Sequence, residues 1–241
     1  MPDIALGSVP GGSANFKGYV SRPAGGGPWP GVVAVHEAWG LDAMIRRQAD
    51  RMADAGYLTL APDLFSDGGT KRCLVSTIRA MILGGGKPYA DIEAARQWLL
   101  DQGDCTGRVG ILGFCMGGGF ALAVAGSGFD ASAPNYGVLP RDLDGALKGS
   151  CPIVASYGAK DIGAAKSVAR LEKALAKHHV AHDVKLYPDA GHSFLNDGPS
   201  GPRVLRPLLR VAHIGPEPAS ARDAWSRIEA FFAAHLGAPS T

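Results

Sequence analysis

A thiol, an imidazole and two carboxylates stand out in this chain because each follows a short apolar run. Cys115 lies in Gly113-Phe114-Cys115-Met116-Gly117, after the apolar run 109–112 and before a small-residue stretch, 118–125, that reads as a helix. A nucleophile at the centre of a G-x-C-x-G turn sits on a tight, strained strand-to-helix elbow. The residues two before and two after it must then be small enough for the backbones to pass. The N–H groups and positive dipole end of the helix favour a thiolate there. Asp161 follows the apolar run 152–157, His192 a loop after 182–187, and Glu37 the run 31–36. A thiol is only partly ionised at neutral pH and needs a base. His192 can take and return the proton, and Asp161 can fix the ring's tautomer and stabilise its charged form. Asp183 and Asp189 are the other acids considered, but Asp189 is three residues from His192 on one loop, a poor geometry for backing the ring. Singly, a buried cysteine, a solvated histidine and a helix-capping aspartate are ordinary structural residues. The chain order nucleophile, acid, histidine makes the combination specific.

These residues need a sheet to hold them together. Strands are expected at 16–20, 31–36, 57–61, 109–112, 131–136, 152–157 and 182–187. Helices are expected from a cap at Asp42 to about 55, over 74–83, from Pro88 onward, over 164–178 and over 219–236. Strands alternating with helices of this length imply an α/β fold, a mostly parallel sheet with helices on both faces. Ligand sites in such sheets lie beyond the carboxyl ends of the strands, where all four candidates fall. His36 is read as ending a strand and orienting a loop. Segment 196–214 holds several Gly and Pro residues and is read as a surface flap. No linker divides the chain, so a single domain over 1–241 is expected.

Composition narrows the function. The 241 residues are 46% hydrophobic and 19% charged, with a net charge of +2 and no basic block, which argues against nucleic acid and anionic membranes as partners. The N-terminal residues lack a secretory pattern and no apolar run approaches a membrane span, so a cytoplasmic protein is expected. The four cysteines, Cys73, Cys105, Cys115 and Cys151, show no metal-like spacing and are read as free thiols, one reactive. No metal is expected. Gly84-Gly85-Gly86-Lys87-Pro88 lacks the Ser/Thr and first glycine of a phosphate loop.

Gly113-Phe114-Cys115-Met116-Gly117-Gly118, His36-Glu37 followed by Trp39-Gly40-Leu41, Ala61-Pro62-Asp63-Leu64-Phe65 and Ala190-Gly191-His192-Ser193-Phe194 together resemble the dienelactone hydrolase (carboxymethylenebutenolidase) family, from about residue 16 to 236. The resemblance implies an α/β-hydrolase fold without cofactor and a Cys115–His192–Asp161 triad, with Glu37 interacting with the thiol. It also implies an oxyanion hole from the N–H groups of Met116 and Ala38. The implied activity is cleavage of a small ester or lactone through a thioester, by a monomer or small homo-oligomer. A general carboxylesterase and a non-hydrolytic thiol sensor are the alternatives. Trp39, Tyr136 and Ser193 are the expected substrate contacts. Family members hold a substrate carboxylate with arginines, one just after the catalytic histidine. Here Ser193, Phe194, Leu195 and Asn196 occupy that place, and Arg72 or Arg79 is the cation expected to serve.

Overall fold

The computed structural model describes residues 3–199, 201 and 203–237. In chain order the strands are β1 Asp3–Gly7, β2 Phe16–Ser21, β3 Trp29–Val35, β4 Leu58–Pro62, β5 Cys105–Phe114, β6 Ala131–Asn135, β7 Ile153–Gly158 and β8 His182–Tyr187. The helices are α1 Ala43–Asp54, α2 Gly69–Leu83, α3 Lys87–Leu100, α4 Met116–Ala123, α5 Leu143–Leu147, α6 Ala164–Lys177, α7 Arg206–Val211 and α8 Pro218–Leu236. The strands form one sheet in the order β1-β2-β4-β3-β5-β6-β7-β8. β1 pairs antiparallel with β2, and β2 with β4, while β4 through β8 run parallel.

Continuous burial of β3, β4 and the second half of β5 reflects helices on both faces. One face packs Ile45, Ala49 and Met52 of α1 with Trp225, Ile228 and Phe232 of α8. The other packs α3 through Ile92, Ala95 and Leu99, α4 through Phe120 and Leu122, and α6 through Leu171 and Leu175. Asp42 caps α1 as expected, accepting from Met44 N at 2.8 Å and Ile45 N at 3.1 Å. After β3 the chain steps out to β4 and then back past β3 to β5, so the carboxyl ends of β3 and β5 adjoin at the switch in strand order. Glu37 leaves one of those ends and Cys115 the other.

Several boundaries differ from expectation. β5 runs the ten residues Cys105–Phe114 rather than 109–112, because its first half pairs with Trp29 at the sheet's amino edge. α4 begins at Met116, immediately after Cys115, and not at 118. α2 starts at Gly69, five residues early. β1 and α5 were not expected. Within 196–214 a 3₁₀ turn, Arg203–Leu205, leads into α7. Phe231 of α8 is only half-buried and lies against His235 with ring centroids 4.3 Å apart. No helix of the described residues is long and apolar enough to cross a membrane.

Candidate active site

Cys115 holds a left-handed backbone, φ 54° and ψ −113°, between the end of β5 and the start of α4. A non-glycine residue there is strained, and the neighbouring chain holds it in place. A Cβ on Gly113 would lie 2.0 Å from Gly117 O, and one on Gly117 would lie 2.1 Å from Val35 O. Both positions therefore exclude any side chain. Cys115 N donates to Asn135 O at 3.0 Å, tying the elbow to the end of β6. The turn leaves the thiol half-buried. Burial pushes the Cys151 thiol up to about 12, and it also raises Cys73 and Cys105. Those three thiols are poor nucleophiles.

The histidine and the acid come from adjacent loops stitched together by backbone hydrogen bonds. Ala159 N donates to Tyr187 O at 2.8 Å and Lys160 N to Ala190 O at 2.9 Å. A Cβ on Gly158 would meet Gly191 O at 2.4 Å, so glycine lets the two loops close. Asp161 does not cap the helix after it: Gly163 is the N-cap of α6, with no side-chain hydrogen bond. Its carboxylate turns instead to His192, with Asp161 Oδ2 2.6 Å from Nδ1. Asp183 pairs with Arg227 at 2.7 Å, and Asp189 is exposed, 3.9 Å from Lys160. Neither backs the ring. Burial of His192 opposes its charge, but hydrogen bonds to Asp161 and Cys115 and their negative charges outweigh that, and the imidazole is pushed up to about 10. The thiol thus lies beside the ring that Asp161 orients.

Glu37 is buried at 8% exposure, and desolvation raises its carboxyl above the ordinary range, against the Ser193 hydroxyl, the His192 charge and the Asn196 amide. Asn196 Nδ2 donates to Glu37 Oε1 at 3.3 Å, and Gln48 Nε2 donates to Asn196 Oδ1 at 2.8 Å. Among the described residues no hydrogen bond joins Glu37 to Cys115; the thiol's partner is His192. His36 orients the loop, as its position suggests. Leu64 N donates to His36 Nε2 at 3.1 Å, so the proton is on Nδ1 and goes to Glu37 O at 2.6 Å. Burial keeps that ring neutral by lowering its pKa. Met116 N lies directly after Cys115 in the chain, and among the described residues neither it nor Ala38 N finds a backbone acceptor.

Tyr136, also left-handed at φ 40°, is 2% exposed, and its hydroxyl has no partner of hydrogen-bond geometry. Its ring lies 5.1 Å from that of His192, and burial followed by the charges of Glu37 and Cys115 raises its hydroxyl well above the usual value. The Glu37 carboxylate also acts on this hydroxyl and raises it, but no well-formed hydrogen bond results, and such a buried polar atom is costly. Ser193 is 2% exposed at φ 58°. Trp39 is half-buried with Gly201 flat against its indole, where a Cβ would come within 2.8 Å. Arg79 is exposed on α2 with no ion pair among the described residues, as is Arg72. Asn196 and Gln48 escaped sequence reading. A lone amide after Phe194-Leu195 in an otherwise apolar stretch was the available signal for Asn196.

Among the described residues no group of three or more His, Cys, Asp or Glu side chains is placed to hold a metal ion. Residues 16–236 match the model of the dienelactone hydrolase family. A candidate carboxymethylenebutenolidase of Azospirillum brasilense is 30% identical over 258 residues, covering 98% of this chain and all of that protein (100%). The crystal structure of a candidate dienelactone hydrolase from Klebsiella pneumoniae superposes with a TM-score of 0.73 at 26% identity, covering 97% of this chain and 99% of that one. A dienelactone hydrolase-like promiscuous phosphotriesterase from metagenomic libraries shares the fold, with a TM-score of 0.80 at 23% identity over 98% and 99% of the two chains.

Proposed function

From the premise that this chain belongs to the dienelactone hydrolase family, we propose that it is a cysteine-dependent hydrolase that opens a small ester or lactone through a thioester. The observation that carries the reading is the 2.6 Å contact of Asp161 with His192 Nδ1, which leaves the other ring nitrogen for Cys115. Cys115 Sγ attacks the carbonyl carbon while His192 holds the thiol proton. The charge developing on the carbonyl oxygen meets the N–H groups of Ala38 and Met116. Collapse breaks the C–O bond, His192 gives the proton to the leaving oxygen, and a thioester remains on Cys115. Water then adds with its proton going to His192, and the carboxylic acid leaves as that proton returns to sulfur.

Trp39, Tyr136 and Ser193 are the proposed substrate contacts; the 5.1 Å approach of the Tyr136 ring to that of His192 supports its inclusion. Glu37, carrying extra affinity for a proton and lying beside Tyr136 and His192, is proposed to respond to substrate. Asn196 holds it in place. Asn196, four residues after His192, offers Glu37 a neutral amide and not an arginine, which favours esters and lactones without a carboxylate at that end. Cytoplasmic placement and a monomeric or small oligomeric state complete the proposal. The test is turnover of a panel of lactones and aryl esters with Cys115→Ala as the blank, and mass spectrometry for an acyl adduct on Cys115. Hydrolysis without an adduct on Cys115, or undiminished in Cys115→Ala, rejects the mechanism. Reversible oxidation of Cys115 with no turnover favours a thiol sensor.

A further inference from the structure

A cavity of about 740 Å³, the size of a small-molecule site, lies against the histidine loop at Gly191 and is lined by neither Cys115 nor His192. Four cationic side chains line it, Lys160, Arg203, Arg206 and Arg210, against the carboxylates of Asp189 and Glu217. Glu217 is already committed: its oxygens accept from Ala219 N at 3.2 Å and Ser220 N at 2.7 Å, capping α8. Asp189 has only Lys160, at 3.9 Å. Seven arginines elsewhere sit in ion pairs. Among the described residues none of the three arginines here has an acidic partner.

The spacing 203, 206, 210 puts the three guanidinium groups on one side of the 3₁₀ turn and α7. Val204, Leu208 and Val211 occupy the other side and are 85%, 68% and 78% exposed. Arg206 is half-buried while Arg203 and Arg210 are exposed, so this segment turns charged and apolar residues alike to water, where an ordinary surface helix packs its apolar stripe inward. Arginines gathered along a cavity repel one another, and a bound anion with oxygens for their planar forks relieves that repulsion. We propose that this cavity is a second binding site, separate from the Cys115 centre, for a small multiply charged oxyanion, a polycarboxylate or a phosphate.

The site is wired to the catalytic loop by backbone. Gly215 N donates to His192 O at 2.9 Å, and Ile214 makes an isolated parallel bridge to His192. His213 O packs so closely on Gly191 that a Cβ there would sit 1.9 Å away. An anion that orders residues 203–213 therefore bears on the segment that positions His192, without entering the ester site.

Titration calorimetry on the full chain at constant ionic strength, once with inorganic phosphate and once with citrate, reads binding directly and needs no turnover. Saturable one-to-one binding of either is expected; the tighter one identifies the source of the charge. Arg203→Gln with Arg210→Gln should weaken it by about tenfold or more. Arg210→Lys, which keeps the charge and loses the fork, should fall between. Thermal melts confirm that the variants fold. Alkylating Cys115 should leave binding unchanged, and with a neutral aryl ester the anion should leave KM unmoved. No saturation by either anion, equal affinity in the double variant, or competition with the ester overturns the proposal.

Discussion

Replacing Asp161 by Asn probes the contact on which the triad rests. His192 is pushed from its ordinary 6.5 up to about 10. At about 1.4 kcal/mol per pKa step, that gap favours the imidazolium by ~5 kcal/mol. Asp161, at Nδ1, and Cys115 share the effect. Assigning Asp161 about half leaves ~2–3 kcal/mol, or roughly a hundredfold in the stability of the charged ring. Asparagine adds a second fault. If its NH₂ group faces Nδ1, the ring carries its proton on the wrong nitrogen, the failure that costs a serine triad on the order of 10⁴-fold. We predict that kcat for a neutral aryl ester falls by between about 10² and 10⁴, with KM within about threefold and the melting temperature nearly unchanged. Steady-state kinetics, run beside the pH dependence of iodoacetamide labelling of Cys115, provide the assay. Labelling should shift to higher pH in the variant. Asp189→Asn, on an exposed side chain, is the control. A near-normal kcat in Asp161→Asn, or a crippled Asp189→Asn, refutes the assignment.

Gly117→Ala would force a Cβ to 2.1 Å from Val35 O and 2.9 Å from His36 O; because both are backbone atoms, a loss of about 3 kcal/mol or more is expected in urea denaturation, and a wild-type midpoint contradicts the elbow geometry. Tyr136→Phe removes a buried hydroxyl that lacks a well-formed hydrogen bond, so stability should hold or rise by about 1 kcal/mol while kcat falls; lost stability with intact kcat would show a purely structural hydroxyl. Glu37→Gln removes a carboxylate whose burial raises its pKa, and slower turnover is expected with labelling of free Cys115 unchanged or faster. Equal slowing of both would make Glu37 a resting-state base. His192, raised in the folded state, adds stability that is full below its unfolded value of 6.5 and is lost as pH rises through about 10. The stability gap between wild type and His192→Gln should therefore shrink over that range, and a gap that grows reverses the sign argued here.

Strands buried on both faces were legible in the sequence because nothing competes with their apolar runs; 152–157 lies within one residue of β7 at both ends, and β7 is buried throughout. β1 was not, since its alternating exposed and half-buried residues carry no run, and only pairing with β2 makes it a strand. α7 hid for a related reason: its apolar residues face solvent, so the usual inward stripe is missing. At the site, residue types and chain order pointed to Cys115, Asp161 and His192, whose chemistry constrains them. The surroundings of Glu37 were not readable, because Gln48 and Asn196 lie 148 residues apart and meet only after folding.

The glycines around the elbow set how this protein can change. A Cβ on Gly118 would meet Asn135 O at 2.6 Å, and one on Gly137 would meet Gly118 C at 2.4 Å, which joins the earlier clashes at Gly113 and Gly117. Four main chains cross at one point with no room for a side chain, so almost every mutation there is forbidden before chemistry is considered. The side chain of residue 115 itself points out of that knot. A serine placed there inherits the strained backbone at no steric cost, while the rim from Ser193 to Glu217 and α2 lies outside the crossing. Exchange of nucleophile and exchange of substrate are thus separable evolutionary steps, and a laboratory library gains by sparing the crossing and randomising the rim.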